Sequence, residues 1–329
     1  MTSRRRVVIA LGSGALAAAL DSIAQAQPHK VWRIGFLREI DRPDYVARFD
    51  AFKTGMRDLG YFEGRDYDVE IRSAHTNPGL LPELAAELVA VKIELIVVGG
   101  TPAALAASKA TQAVPILMAT VGDPVFAGLA GSLAHPGRNV TGLTSMSTEL
   151  VTKRLDLLHQ ILPHIRRAGL LYDPTNLNDA PSVPRFSADC TMLGVQPILA
   201  AARSVEEIAA AFETLTRDGA EGLIVTTGNT NTAALEQILR YAAAQRLPSI
   251  YGLSAYPEAG GLASYAADYS DLFRRAAAYA DKIFKGAKPA DLAIEQPVKF
   301  DFVISIKAAR AIGIEFPQSI LVQATKVIE

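Results

Sequence analysis

The chain carries one cysteine in 329 residues, Cys190, so it can form no intramolecular disulfide and no metal site built from several thiolates. Its five histidines (His29, His75, His135, His159 and His164) include no i, i+4 pair and no His-Glu-x-x-His, so no zinc-hydrolase ligand set is visible. A Gly-x-Ser-x-Gly elbow and a Gly-x-Gly-x-x-Gly fingerprint are missing, and Gly99-Gly100-Thr101 lacks the Lys-Ser/Thr of a phosphate loop. The common nucleophile, metal and nucleotide chemistries are thereby removed, and neither an enzyme activity nor a cofactor is expected. An excess of charge of one sign is absent as well. The formal net charge of -1 argues against a dedicated nucleic-acid surface. What the chain does have is apolar mass: it is 50% hydrophobic and only 20% charged, enough to fill a core, and its length suits two domains.

The first 26 residues read as an export signal. Arg4-Arg5-Arg6 is a basic start, Val7 to Leu20 is an alanine-rich apolar run, and Ala24-Gln25-Ala26 is a small-x-small cleavage site, so the mature chain is expected to begin at Gln27. The run is too short for a comfortable membrane span. Ser3-Arg4-Arg5 also looks like the start of a twin-arginine signal, and both that route and the ordinary secretory one stay open. No cysteine stands at the cleavage site, so a lipid anchor is not expected there. Cys190 is expected in a helix as a packing residue, and Arg166-Arg167 and Arg274-Arg275 as solvated faces.

From Trp32 onward short apolar runs alternate with helical segments. Strands are expected at 33–37, 67–72, 95–98, 114–118 and 140–143, then at 168–172, 195–199, 222–225, 249–251, 262–266 and 296–304. Helices lie between them, including 45–59, 82–91, 183–193, 205–217, 232–245 and 270–285, and a last one is expected at 307–312. Repeated βα units with buried apolar strands make an α/β protein with parallel sheets. So many strands suit two sheets better than one. The polar, hydroxyl-rich stretch Thr144 to Thr148 reads as a first hinge. Residues 27–144, completed by about 266–300, are expected to form one lobe; 145–265, completed by about 301–329, the other.

In open parallel sheets ligands sit at the carboxyl ends of strands, where helix starts expose free N–H groups. Leu95 to Val98 ends at Gly99-Gly100, and Thr101-Pro102 then looks like an N-cap and a first helical residue. Thr120 and Asp123 follow the next strand, each either facing a cleft or making a turn before Pro124. Ser145, in the hinge, either reaches a ligand or steadies the crossover. In the second half Tyr172 and Asn176 follow one strand, and Thr227 and Asn229 follow another. Tyr172 could stack on a flat solute or end a core strand. Tyr251, Tyr265 and Asp268 lie near the later crossings, Asp268 either as a charge in the site or as a helix cap.

Several stretches together resemble a known family. They are Gly55-Met56-Arg57-Asp58-Leu59-Gly60-Tyr61, Leu81-Pro82-Glu83-Leu84-Ala85-Ala86-Glu87-Leu88, Gly100-Thr101-Pro102-Ala103-Ala104 and Gly122-Asp123-Pro124-Val125. Further along come His135 to Gly142, Lys285 to Leu292 and the closing Val327-Ile328-Glu329. In order and spacing they resemble the solute-binding proteins of bacterial ABC importers, in the branch that includes tryptophan and tyrosine binders. The resemblance implies two Rossmann-like lobes with parallel sheets and a multi-crossing hinge, as in the type I periplasmic binding proteins. It also implies a monomeric periplasmic receptor that closes over a small solute and hands it to an inner-membrane permease. An exported sensor subunit serving a membrane signalling receptor is the alternative. Thr101 would belong to a carboxylate cradle. Amino-acid binders of the family often carry an aspartate–asparagine pair where this chain has Gly228-Asn229. A buried ammonium needs a paired anion, so the missing carboxylate favours an amine-free acid over an amino acid.

Overall fold

A computed structural model describes residues 30–41, 43–75 and 77–329. The expected export signal and its cleavage site lie outside the described residues. The first half runs β1 (Trp32–Arg38), α1 (Pro43–Asp58), β2 (Tyr67–Ser73), α2 (Leu81–Ala90), β3 (Leu95–Val98), α3 (Thr101–Ala110), β4 (Ile116–Val121) and β5 (Val140–Thr144). The second continues α4 (Leu150–Ile161), β6 (Arg167–Tyr172), α5 (Asp179–Met192), β7 (Gln196–Ala201), α6 (Ile208–Arg217), β8 (Gly222–Val225) and α7 (Asn229–Ala233). After these come α8 (Leu235–Ala244), β9 (Ser249–Tyr251), α9 (Ala255–Glu258), β10 (Ala263–Ala267) and α10 (Tyr269–Phe284). The tail is β11 (Phe300–Ser305), α11 (Ile306–Ile312), α12 (Gln318–Gln323) and β12 (Lys326–Ile328).

The strands form two sheets, ordered β2-β1-β3-β4-β5 and β12-β11-β10-β9-β8-β6-β7. Among the described residues every strand pairing is parallel except that of β10 with β11. Side chains alternate across a strand, so each sheet feeds a core on both faces. In β3, Leu95 and Val97 face one core while Ile96 and Val98 face the other. In the second sheet Ile224 of β8 faces one core and Leu223 and Val225 the opposite one. Each fully buried side chain of this size contributes about 1.5–3 kcal/mol relative to exposure.

A segment far along the chain returns to the first sheet. Helix α10 lays Leu272, Phe273, Ala276 and Ala277 into the core formed by Phe36, Phe52 and Leu95. Gly55 permits that approach: a Cβ there would stand 2.3 Å from the Arg274 carbonyl oxygen. The chain crosses between the lobes after β5, after β10 and again before β11. At the third crossing Glu295 pairs alongside Leu143, donating its N–H to the Gly142 carbonyl at 2.9 Å. The crossings at 144–145 and 295 therefore lie side by side.

Differences from the sequence reading are local. β4 extends to Val121, so Thr120 is a strand residue rather than part of a loop. The helix expected at 232–245 is two, and the first begins at Asn229. The tail strand is confined to Phe300–Ser305, and α12 and β12 add an edge that the sequence pattern did not suggest.

Candidate ligand-binding cleft

The carboxyl ends of both sheets face each other across a cavity of about 400 Å³. Because β1 lies beside β3, the residue just past β1 stands next to the glycines that end β3. That residue is Glu39, 5% exposed. Its Oε1 accepts from the Ala103 N–H at 3.1 Å, so the anion position at the start of α3 is taken by the chain itself. Gly100 is what lets it in, since a Cβ there would stand 2.5 Å from Oε1. The other oxygen, Oε2, accepts from the Asn229 side-chain amide of lobe 2 at 2.7 Å. Burial pushes the Glu39 carboxyl up, with the Asn229 and Ala103 hydrogen bonds pulling it partly back.

Thr101 is the first residue of α3 rather than its cap; Gly100 holds the cap position and makes no side-chain bond. The Thr101 hydroxyl instead spans the cleft, donating to Asn178 Oδ1 at 3.0 Å while accepting from the Gly122 N–H at 3.2 Å. Thr120 also lines the cavity, its hydroxyl donating to the Gly99 carbonyl. Ser145 lines it from the hinge, where its N–H donates to the Val121 carbonyl at 2.8 Å. Two tyrosines complete the lobe 1 wall, Tyr45 of α1 and Tyr269 at the start of α10. The Arg48 guanidinium lies 4.6 Å from each ring centroid, a cation–π arrangement on both.

The lobe 2 wall is a network of short polar side chains. Asp173 follows β6; its Oδ1 accepts from the Thr175 N–H and hydroxyl at 2.8 and 2.6 Å, and its Oδ2 from the Thr230 hydroxyl at 2.6 Å. Asn176 donates to the Thr227 carbonyl at 3.3 Å, and Asn229 stands at the first position of α7. Behind them Asp179 is buried, accepting from the Asp173 N–H at 2.9 Å and the Thr226 hydroxyl at 2.8 Å; burial raises its carboxyl to about 7. Arg203, which pairs with Glu207 at 3.5 Å, adds a second guanidinium to the lining.

A family model described as ABC transporter substrate binding protein matches residues 33–328. The chain belongs to this family. Similar to this substrate-binding protein is the "Tyrosine-binding protein" of Clostridioides difficile (strain R20291), 24% identical over 282 residues, which are 86% of this chain and 81% of that protein. Two solved structures cover 91% of this chain at 27% identity, and are themselves covered completely. One is an ABC domain in complex with L-Trp from Streptococcus pneumonia (TM-score 0.84), the other a conserved domain protein from Vibrio cholerae (TM-score 0.85). The fold is that of the type I periplasmic binding proteins.

Of the residues singled out from the sequence of this substrate-binding protein, Thr101, Thr120, Ser145, Asn176, Thr227 and Asn229 come together around the cavity. Asp123, Tyr172, Tyr251 and Asp268 are not among its lining residues. Asp123 makes a turn instead, its Oδ1 accepting from the Val125 and Phe126 N–H groups at 3.0 and 2.9 Å. Tyr172 packs against the core under β6, and Tyr251 is buried in a parallel stack with Tyr256 at 4.2 Å. Asp268 caps α10, accepting from the Asp271 N–H at 2.9 Å. Glu39, Asp173, Tyr45, Arg48, Arg203 and Tyr269 were not singled out. One signal points to Glu39: β1 shares its carboxyl edge with β3, β4 and β5, whose tips carry Thr101, Thr120 and Ser145. Among the described residues no group of three or more His, Cys, Asp or Glu side chains could hold a metal ion. No described helix is long and apolar enough to cross a membrane.

Proposed function

We propose that this protein is the periplasmic receptor of an ABC importer, taking a small organic acid, aromatic or an amino acid, into the cleft and delivering it to an inner-membrane permease. The observation that carries this reading is the interlobe cavity of about 400 Å³, whose wall holds two carboxylates, two guanidinium groups and two tyrosine rings. Lobe closure around side-by-side crossings lets one solute touch both walls and leave bulk water. Thr101, Thr120, Ser145, Asn176, Thr227 and Asn229 are the proposed polar contacts, with Tyr45 and Tyr269 against an apolar or aromatic side chain. The tyrosine named for the Clostridioides difficile relative and the L-Trp in the Streptococcus structure favour an amino acid over a sugar. Delivery to a permease accords with the family, and export accords with the signal pattern in residues 1–26.

A thermal-shift screen of residues 27–329 tests it, with aromatic and aliphatic amino acids, the matching amine-free acids, sugars and nucleosides. A true ligand at about 100 times its dissociation constant adds about 2.7 kcal/mol of stability. Stabilisation by sugars or nucleosides alone would overturn the reading.

A further inference from the structure

We propose that Glu39 is the specificity-determining residue that accepts a protonated amine from the solute, so that the solute class is an amino acid rather than an amine-free acid. The inference rests on the solute-binding reading above and deepens it. Glu39 is a carboxylate 5% exposed in the wall of the cleft. Its partners are one backbone N–H and one neutral amide, and among the described residues no lysine, arginine or histidine pairs with it. Buried carboxylates are ordinarily matched by a cation, because desolvation otherwise opposes the charged form. Each oxygen accepts one bond from the protein and, with two lone pairs, has the capacity for a second.

Position completes the argument. The neutral amide on Glu39 is that of Asn229, which belongs to the facing wall of the cleft. Glu39 reaches the same asparagine from the opposite lobe, with Oε2 2.7 Å from Asn229 Nδ2. A carboxylate of one wall therefore stands directly against a polar side chain of the other. A role as helix cap accounts for Oε1 alone. It leaves unexplained why a carboxylate 64 residues from Ala103 in sequence presents its second oxygen to the other lobe. The same geometry disfavours Thr101 as the centre of a carboxylate cradle, since a solute carboxylate at the start of α3 would meet Glu39.

The test is calorimetric titration of the parent and Glu39→Gln with L-tyrosine and L-leucine, each beside its amine-free acid, 3-(4-hydroxyphenyl)propanoate and 4-methylpentanoate. Glutamine keeps an oxygen for the Ala103 N–H and removes the charge. The parent is expected to bind at least one amino acid about 10-fold or more tighter than its amine-free partner. Glu39→Gln is expected to weaken that amino acid by about 10- to 100-fold while leaving the amine-free acid unchanged or tighter. Equal binding of the two members by the parent, or equal weakening of both in the variant, overturns the role of Glu39 and leaves the receptor reading intact. Binding of neither series, with stabilisation by sugars or nucleosides alone in the thermal-shift screen, overturns both.

Discussion

Across the cleft, two carboxylates of similar burial live in different company. On the lobe 2 side Asp173 accepts three hydrogen bonds from Thr175 and Thr230, two on Oδ1 and one on Oδ2. On the lobe 1 side Glu39 accepts one bond per oxygen and shares its wall with tyrosine rings. Hydrogen bonds from several donors satisfy a buried carboxylate locally, whereas one with few donors retains a demand for a cation. The lobe 2 wall is thus organised by its own bonds, and the lobe 1 wall offers charge to a visitor. The comparison can be broken at either end.

The largest effect is expected at Asp179, through pH. Burial raises its carboxyl from 3.8 to about 7, outweighing the Asp173 and Thr226 hydrogen bonds and the Arg154 charge, which lower it. The folded chain therefore holds this proton more tightly than the unfolded one. Its contribution to stability is complete below about pH 4 and is lost as pH rises to about 7, by at most about 1.4 kcal/mol per pH unit. Asp179→Asn carries no titrating group, so urea unfolding at pH 5 and pH 8 is expected to show the variant gaining on the parent at the higher pH. Parallel pH profiles would mean that the lobe 2 network already holds Asp179 ionised at low pH.

Next in size is the transfer of charge between walls. Gly228 has φ -137, which any residue adopts, and a Cβ there would meet Asn176 Nδ2 at 2.9 Å, the end of a side chain that can turn aside. Adding Gly228→Asp to Glu39→Gln is expected to restore most of the roughly 10- to 100-fold affinity for L-tyrosine or L-leucine lost in the single variant. Calorimetry of both variants checks it. No recovery would mean that the amine is read by geometry peculiar to lobe 1 and not by charge beside Asn229.

These contrasts bear on what was legible in the sequence. Strands β3, β8 and β9 were readable to their bounds, because a short apolar run ended by glycine or polar residues has a local cause. So was the α/β class, and so was the likeness to the family. Glu39 was not legible, since a glutamate one residue past a strand looks like a solvated charge until Gly100 and Ala103, distant in sequence, fold against it. Tyr172 and Tyr251 stand near strand tips as expected, yet both end their strands with the ring turned into packing. Period two tells which residues share a face of a sheet; it does not tell whether the last of them points over the edge.

The smallest effect separates a cap from a ligand charge. Asp268 stands one residue before Tyr269, which lines the cleft, and so was a candidate to replace the missing anion. In the structure its Oδ1 caps α10, and asparagine at that position caps about as well as aspartate. Asp268→Asn is therefore expected to leave both stability and amino-acid affinity nearly unchanged. Asp268→Ala is expected to cost about 1 kcal/mol in urea unfolding without altering the preference for amine-bearing solutes. If Asp268→Asn selectively weakened the amino acid, the lobe 1 wall would hold a second charge for the amine, and Glu39 would share its role with the start of α10.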